Sequence, residues 1–220
     1  MESLLALENE ISQCRKCAEF LAQNVVDLTS ITQRVEPRPI VPHFQRQSIL
    51  LIGQAPGLTE YRTRKPFQGN AGQGIRRILA EVGIPSEKFD DIVCSTAIVK
   101  CFPGSKRVTR GREDEKPSKE MVSNCLPFLK RTFELLRPQL VITLGRFPLV
   151  EYLKLRGRDL SAVSLDRFVG NLDQWGSAAV IFLPHTSGSS FWLNKPANRE
   201  LLKKAKDTLR SVLLERKLVC

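Results

Sequence analysis

Four cysteines are spaced along the chain in a way that suits metal binding. Cys14 and Cys17 form a C-x-x-C pair at the end of a segment with helical periodicity. Cys101 follows an apolar run, and Cys125 lies in the next helical segment. Thiolates of this kind bind zinc or an iron–sulfur cluster, and free buried thiols are the remaining alternative. The pattern predicts a metal centre without deciding which metal it holds.

A five-residue loop, GQAPG at residues 53–57, directly follows the apolar run Ile49–Ile52. The loop contains no acid, base or nucleophile, and the first acidic residue after it is Glu60. Glycine lets the backbone approach a ligand closely, and exposed backbone N–H groups can bind anions or carbonyl oxygens. We therefore expect a ligand site that depends on backbone contacts more than on titrating side chains.

The elements that would position these residues alternate between strand and helix. Apolar runs predict strands at residues 48–52, 91–99, 140–144 and 178–183. Helical patterns cover residues 2–13, 71–82, 118–136, 148–155 and 196–214, whereas residues 102–117 are predicted to form a polar loop. This alternation predicts an α/β fold, a three-layer α/β/α sandwich around a four-stranded, mainly parallel sheet. Ligands of such sheets bind beyond the carboxyl ends of the strands, which is where the GQAPG loop lies.

The composition is that of a basic globular protein. The 220 residues are 42% hydrophobic, which is enough for a buried core, and they fit one domain, residues 1–220. Lysine and arginine outnumber aspartate and glutamate by 34 to 23, a formal charge of +11 that favours a nucleic-acid partner. No apolar run reaches the roughly 20 residues that span a bilayer. Because acids lie among the first residues, we expect no signal peptide, no membrane partner and a cytoplasmic location.

Five motifs in order carry a resemblance to a known family. They are GQAPG at 53–57, KPFQGNAGQGI at 65–75, AIVKCFPG at 97–104, NCLPFL at 124–129 and LPHTSG at 183–188. Together with the C-x-x-C pair, they resemble the uracil-DNA glycosylase superfamily, specifically its iron–sulfur branch, family 4. The resemblance covers nearly the whole chain and implies a single uracil-DNA glycosylase-like domain, acting as a monomer.

The resemblance also implies a cofactor and its ligands. In that branch the ligands are the C-x-x-C pair, the cysteine of the KC motif and a later cysteine. This implies a [4Fe-4S] cluster held by Cys14, Cys17, Cys101 and Cys125. The choice of iron–sulfur over zinc comes from the resemblance and not from the spacing.

Further site residues follow from the resemblance. A glycosylase turns its nucleotide out of the duplex, and cleavage leaves an oxocarbenium-like sugar and an anionic base. Phe67 would stack on the everted base, and His185 would donate a hydrogen bond to the base oxygen as negative charge develops. Gln54 and Ala55 would supply backbone contacts, and Glu60 would position water or counter the cation. The other substrate-binding candidates are Gly53, Gly57, Ala97 and Ser187.

Each of the main roles has a structural alternative. Phe67 could be a core aromatic residue, His185 a structural histidine and Glu60 a solvated loop residue. Phe191 and Trp192 are apolar enough to act as a wedge in the emptied base stack, or to pack against the last helix. The basic loop at residues 106–112 is a candidate for phosphate contacts, and a solvated surface loop is its alternative.

The chain departs from the family 4 pattern at two positions, Ala97 and Thr186, and a third position, Ala55, differs from other branches of the superfamily. The best-studied glycosylases of the superfamily have an aspartate where Ala55 lies, although family 4 lacks it as well. Family 4 has an asparagine at the position of Ala97 that reads the uracil edge, and alanine cannot make that contact. The familiar HPS sequence becomes His185-Thr186-Ser187, which removes a rigid proline.

The resemblance favours a monofunctional DNA glycosylase that hydrolyses the N-glycosidic bond of uracil in DNA during base excision repair. No lysine stands out as a Schiff-base nucleophile, and Lys65 and Lys100 are expected to attract phosphate. Two alternatives stay open because of Ala55 and Ala97. One is a non-catalytic DNA-damage-binding protein that retains the fold and cluster, and the other is a glycosylase for a different deaminated base.

Overall fold

The computed structural model describes residues 2–28, 31–108, 111–161, 163–187 and 191–219. The first half contains α1 (Leu4–Gln13), α2 (Ala18–Leu21), β1 (Val25–Leu28), β2 (Ile31–Arg34), β3 (Ile49–Gly53), α3 (Leu58–Thr63), α4 (Asn70–Glu81), α5 (Phe89–Ile92) and β4 (Val93–Ala97). The second half contains β5 (Ser105–Val108), β6 (Gly111–Asp114), α6 (Lys119–Leu136), β7 (Leu140–Leu144), α7 (Arg146–Leu155), β8 (Leu172–Trp175), β9 (Ala178–Leu183) and α8 (Pro196–Glu215).

The central sheet has the strand order β4-β3-β7-β9-β8, and its first four strands are parallel. Every residue of β3, β7 and β9 is buried, because helices cover both faces of these apolar runs. The register pairs Gly53 with Ala97 and Leu144 with Leu183, so the strands end together at one edge. The α/β/α sandwich is confirmed.

The predicted strand count of four is wrong, because the sheet has a fifth strand. β8 pairs antiparallel with β9 at the edge of the sheet, with Trp175 opposite Ala178. Its residues alternate between exposed and partly buried, as a strand covered on one face does. The sequence Leu-Asp-Gln-Trp contains no continuous apolar run, and it therefore gave no strand signal.

Two short hairpins lie outside the central sheet. β1 pairs with β2, and β5 pairs with β6, both antiparallel. The second hairpin lies within residues 102–117, where a polar loop was predicted, so the absence of strands from that prediction is wrong. The two hairpins are joined where the Asn24 side chain donates a hydrogen bond to the Pro103 carbonyl at 2.8 Å.

The predicted helices begin and end close to the predicted residues, whereas the short helices α2, α3 and α5 were not predicted. Ser118 caps α6 as expected, since its hydroxyl accepts a hydrogen bond from the Met121 N–H at 3.1 Å. α1 packs against α6, and Arg131 on α6 forms ion pairs with Glu2 and Glu10. These contacts hold the C-x-x-C segment, which follows α1, beside the middle of the chain. In the described ranges, no helix combines the length and the apolar character needed to cross a bilayer.

Candidate active site

The GQAPG loop is fastened to the chain segment that follows β4. The Gly53 carbonyl accepts a hydrogen bond from Ile98 N–H at 2.9 Å, and the Gln54 carbonyl accepts one from Val99 N–H at 3.1 Å. Ala55 is partly buried against the core. The loop is therefore held at the carboxyl edge of the sheet, as the strand order predicts.

Glu60 uses both carboxylate oxygens to accept backbone hydrogen bonds. Oε2 accepts the Gly57 N–H at 3.0 Å, while Oε1 accepts the N–H groups of Gln68 and Gly69, each at 2.8 Å. One carboxylate thus ties the start of α3 to the turn that precedes α4. The structure therefore makes Glu60 an organiser of two loops.

Phe67 packs its ring on the backbone at the end of β3. A Cβ atom added to Gly53 would lie 2.9 Å from the ring carbon Cζ. Phe67 has a φ of +52°, and a Cβ added to Gly72 would lie 1.8 Å from its carbonyl oxygen. Close packing at two glycines therefore fixes Phe67 in a left-handed conformation that side chains rarely adopt.

His185 follows the end of β9, and one of its ring nitrogens is hydrogen-bonded to Ser187. Its Nδ1 is 2.7 Å from the Ser187 hydroxyl and accepts a hydrogen bond from the Ser187 N–H at 3.4 Å. A backbone N–H can only donate, so Nδ1 carries no proton and the neutral ring carries it on Nε2. The imidazole remains reachable by solvent, while surrounding protein atoms lower its pKa below 6.5 by desolvation.

The residue after the histidine attaches this loop to α4. The Thr186 hydroxyl donates a hydrogen bond to the Ala71 carbonyl at 2.6 Å. A Cβ atom added to Gly74 would lie 2.5 Å from the Thr186 carbonyl oxygen, so the loop and helix are in close contact. Since α4 also follows the Phe67 turn, His185 and Phe67 are positioned by the same helix.

An open cavity of about 490 Å³ lies beside these loops. Gln54 and His185 both line it, together with Gly145, at the start of α7, and Lys116, which follows the second hairpin. Phe67 is not among the lining residues; its ring lies on Gly53, next to Gln54. The cavity therefore joins the GQAPG loop to the histidine, and motif reasoning did not anticipate its α7 wall.

Ala97 and Lys100 show how the third motif, AIVKCFPG, is built. The Lys100 ammonium donates hydrogen bonds to the Thr96 hydroxyl at 2.9 Å and to the Ala97 carbonyl at 2.5 Å. Lys100 is 2% exposed, and burial lowers its pKa to about 8. The expectation that Lys100 attracts phosphate is wrong, because its charge is buried beneath the site. Lys65 is exposed.

The four predicted cysteine ligands approach one another. Cys17, Cys101 and Cys125 are buried, whereas Cys14 is half-buried, and none is in a disulfide. Burial raises the pKa of Cys101, and the charges of the other three raise it further. The Asn124 side-chain amide donates a hydrogen bond to the Cys17 sulfur at 3.5 Å, and the Lys100 backbone N–H donates one to the Cys125 sulfur. Among the described residues, no group of three or more potential ligands is arranged around a single metal ion.

Other predicted contact residues have varied outcomes. Phe191 is 82% exposed, whereas the Trp192 indole donates a hydrogen bond to the Asp166 carboxylate and packs against the core. Residues 109 and 110 of the basic loop, and Gly188 of the last motif, lie outside the described residues. The exposed Asp114 carboxylate at the end of the second hairpin would lie 2.9 Å from a Cβ at Gly57. Only the tertiary structure reveals that contact.

Comparison with known proteins agrees with this geometry. Residues 42–210 match the family model described as the uracil DNA glycosylase superfamily. The chain is 29% identical to a type-4 uracil-DNA glycosylase of Archaeoglobus fulgidus, over 84% of this chain and 86% of that protein. It is 30% identical to that of Thermotoga maritima, over 76% and 72%, and 27% identical to that of Saccharolobus solfataricus, over 96% and 88%.

Proposed function

Since the chain belongs to the uracil-DNA glycosylase superfamily, we propose that it is a monofunctional DNA glycosylase that hydrolyses the N-glycosidic bond of uracil in DNA. The single observation that carries this proposal is the state of His185. Its Nδ1 accepts from Ser187, which leaves the proton on Nε2, and His185 lines the same cavity as Gln54. A neutral donor at this place suits a leaving group that becomes an anion.

The reaction requires little proton transfer from the protein. The bond between the sugar carbon and the base nitrogen breaks, and its electron pair leaves with the base. The Nε2–H of His185 donates to the base oxygen on which negative charge accumulates. Water then adds to the oxocarbenium-like sugar carbon and releases its proton to solvent. A loop without an acid at Ala55 is compatible with this chemistry.

The remaining residues of the site hold the nucleotide. The backbone of Gln54 and Ala55 would contact the everted nucleotide, and Gly53 and Gly57 permit its close approach. Phe67, rigidly seated on Gly53, would stack on the base. Glu60 enters this proposal as a positioning residue, because its three backbone hydrogen bonds set the shape of the loops.

Ala97 bears on which base is accepted. It lies opposite Gly53 in the sheet, and its side chain cannot form a bidentate hydrogen bond to the uracil edge. Uracil is the default substrate, and a second deaminated base is tolerated more readily than with asparagine. A non-catalytic damage-binding protein, the alternative from sequence, is not favoured, because the relatives described above are named as glycosylases.

We further propose that Cys14, Cys17, Cys101 and Cys125 hold a [4Fe-4S] cluster. Support comes from the donor set itself: four thiols that interact electrostatically, three of them buried, with N–H groups directed at two of the sulfurs. Such N–H···S bonds are among the factors that tune iron–sulfur clusters. When bound, the cluster would join the segment after α1 to the middle of the chain. We assign it no chemical step.

The proposal also covers the binding partner, the oligomeric state and the cellular location. DNA is the partner, since the charge of +11 favours a polyanion and the relatives are named for DNA. We propose a monomer made of a single domain over residues 1–220, acting in the cytoplasm without a membrane partner.

A panel of oligonucleotides, each with one deaminated base, tests the function. Alkaline cleavage after incubation reveals abasic sites. Cleavage at uracil supports the proposal, and an Ala97→Asn variant should then favour uracil over other bases more strongly than the unaltered protein does. Tight binding without cleavage of any oligonucleotide would restore the non-catalytic alternative.

A further inference from the structure

A second cavity, of about 420 Å³, is lined by arginines from three separate parts of the chain. Arg15 comes from the C-x-x-C segment and Arg64 from the end of α3. Arg38 and the one carboxylate, that of Glu36, come from a proline-rich linker at residues 36–42. We call this the arginine cavity. None of its residues belongs to the proposed active site.

Tyr61 of α3 holds the linker in place at this cavity. The Glu36 N–H donates to the Tyr61 hydroxyl at 3.2 Å, and the Arg38 guanidinium lies 5.1 Å from the centre of the Tyr61 ring. Arg64 follows three residues later, where α3 ends in a left-handed conformation. Arg38 and Arg64 both line the cavity, one from the segment that Tyr61 contacts and the other from the end of the helix that carries Tyr61.

Arg15 is oriented by backbone carbonyl groups and has no acidic partner in the part of the chain that the structure describes. Its Nη1 donates to the carbonyl oxygens of Ser12 and Cys14, at 3.0 and 2.9 Å. Its Nε and Nη2 make no hydrogen bond among the described residues. Arg38, by contrast, donates through Nε and Nη2 to one carboxylate oxygen of Glu36. The lining therefore carries three arginines and one glutamate, an excess of two positive charges. Within the described ranges, Arg15 and Arg64 form no ion pair with a carboxylate.

The arginine cavity lies close to the proposed active site. α3 begins directly after Gly57 of the GQAPG loop and ends at Thr63, just before Arg64. Six helical residues span about 9 Å, which corresponds to about three nucleotides along one strand of a duplex. Exposed Lys65 and the Phe67 turn follow immediately. Arg64 therefore lies within reach of the strand that delivers a base to the GQAPG loop.

We propose that the arginine cavity binds a backbone phosphate of the substrate strand, within a few nucleotides of the everted base. Guanidinium groups match phosphate oxygens in paired hydrogen bonds, and three of them converge here. Glu36 occupies Arg38 in the DNA-free protein, so a phosphate competes with this carboxylate. The inference rests on the proposed function for the identity of the strand.

Salt dependence of DNA affinity tests the phosphate contact. The probe is a duplex whose single uracil nucleotide carries a 2′-fluorine, which slows cleavage. Arg15→Ala, Arg38→Ala and Arg64→Ala should each weaken binding, and each should reduce the slope of log K against log salt by about 1. Arg216→Ala is the matched control, since its guanidinium contacts the Ser177 carbonyl before β9, at the opposite edge of the sheet. Equal slopes in Arg38→Ala and Arg216→Ala would overturn the proposal.

Two further variants separate charge from structural damage. Glu36→Gln removes the competing carboxylate and should tighten binding, whereas a purely structural role of the Glu36–Arg38 pair predicts weaker binding. Arg38→Lys keeps the charge but not the paired geometry, so it should retain the slope while losing part of the affinity. Weaker binding by Glu36→Gln, with an unchanged melting temperature, would count against the phosphate site.

Neutral methylphosphonate linkages, placed one at a time, identify the strand position. At one position the substitution should weaken binding by the unaltered protein and have no further effect on Arg38→Ala. Absence of any such position would contradict the assignment to DNA and leave only free phosphate as a ligand. Base excision is measured in a separate assay. If the protein fails to release uracil but its binding is still weakened by a methylphosphonate at one position, the proposed function is refuted and the phosphate site is not.

Discussion

The hydroxyl oxygen of Ser187 lies 2.7 Å from Nδ1 of His185, and the backbone N–H of Ser187 donates to the same nitrogen. Two residues that are nearly adjacent in sequence thus determine which tautomer the imidazole adopts. The protonated Nε2 is the group that can stabilise an anionic base, so this local turn accounts for much of the proposed chemistry.

Activity should persist to lower pH than an ordinary histidine would allow. Desolvation lowers the pKa of His185, so the imidazole stays neutral below pH 6.5. The acidic limb of kcat/KM should therefore lie below 6.5. In the unfolded chain His185 has its ordinary, higher pKa and is protonated at a higher pH than in the folded protein. The free energy of unfolding should therefore fall as pH decreases through the same window. Pre-steady-state rates and thermal unfolding between pH 4.5 and 8 measure both effects. The control is His43→Asn, which alters the other, exposed histidine and should leave the acidic limb of the pH profile unchanged. If that variant lost the acidic limb, the titration would belong to His43 and not to His185.

Loss of the imidazole should slow base release. His185→Ala removes one hydrogen-bond donor to the developing anion, so kcat should fall by about 10² to 10³ with little change in DNA affinity. Ser187→Ala should cause a smaller loss, because the ring remains but its orientation is less restricted. Single-turnover kinetics with uracil DNA measures both. Uracil release by His185→Ala at the unaltered rate would remove His185 from the mechanism.

Glu60 should affect stability and activity together. Glu60→Ala leaves three backbone N–H groups without their acceptor, and the free energy of unfolding should fall by about 2 kcal/mol. Glu60→Gln keeps one carbonyl oxygen, which can accept two hydrogen bonds at most, so its free energy of unfolding should lie between those of the unaltered protein and Glu60→Ala. Urea unfolding and single-turnover rates check this. A large rate loss without any loss of stability would instead favour a direct role in positioning water.

The Phe67 turn should not accept a side chain at Gly72. In Gly72→Ala the new Cβ would overlap the Phe67 carbonyl, and the backbone must move at a cost of about 3 kcal/mol. Uracil excision should fall because Phe67 no longer sits on Gly53. Gln73→Ala, at the exposed neighbouring position on α4, is the control and should be neutral in thermal unfolding. Equal melting temperatures for the two variants would show that the turn adapts.

The cluster has a spectroscopic signature. The purified protein should be brown and contain about four irons per chain, and Cys101→Ser should lose the colour and unfold at a lower temperature. Cys94→Ala removes a buried thiol in β4 that is not a proposed ligand, so the colour should remain. Colourless protein with stoichiometric zinc would refute the iron–sulfur assignment.

The sequence predicted those parts of the fold that have strong local signals. β7 and β9 match the predicted residues, because each is a continuous apolar run between turns. The fifth strand and the two hairpins were not predicted. β8 and the strands of the second hairpin contain no continuous apolar run, and they form by pairing with neighbouring segments of the chain. The single-domain assignment and the individual catalytic roles stay predictions.

For the site, the family resemblance carried by the motifs was enough to name His185, Phe67 and the cysteines. Only the tertiary structure decided how they are used. It buried Lys100 beneath the site, engaged Glu60 with three backbone groups and brought Arg15, Arg38 and Arg64 to one cavity. Burial and convergence depend on contacts between distant segments, and these are set by packing across the sheet. A motif records which chemical groups are present, whereas folding determines their solvation and their partners.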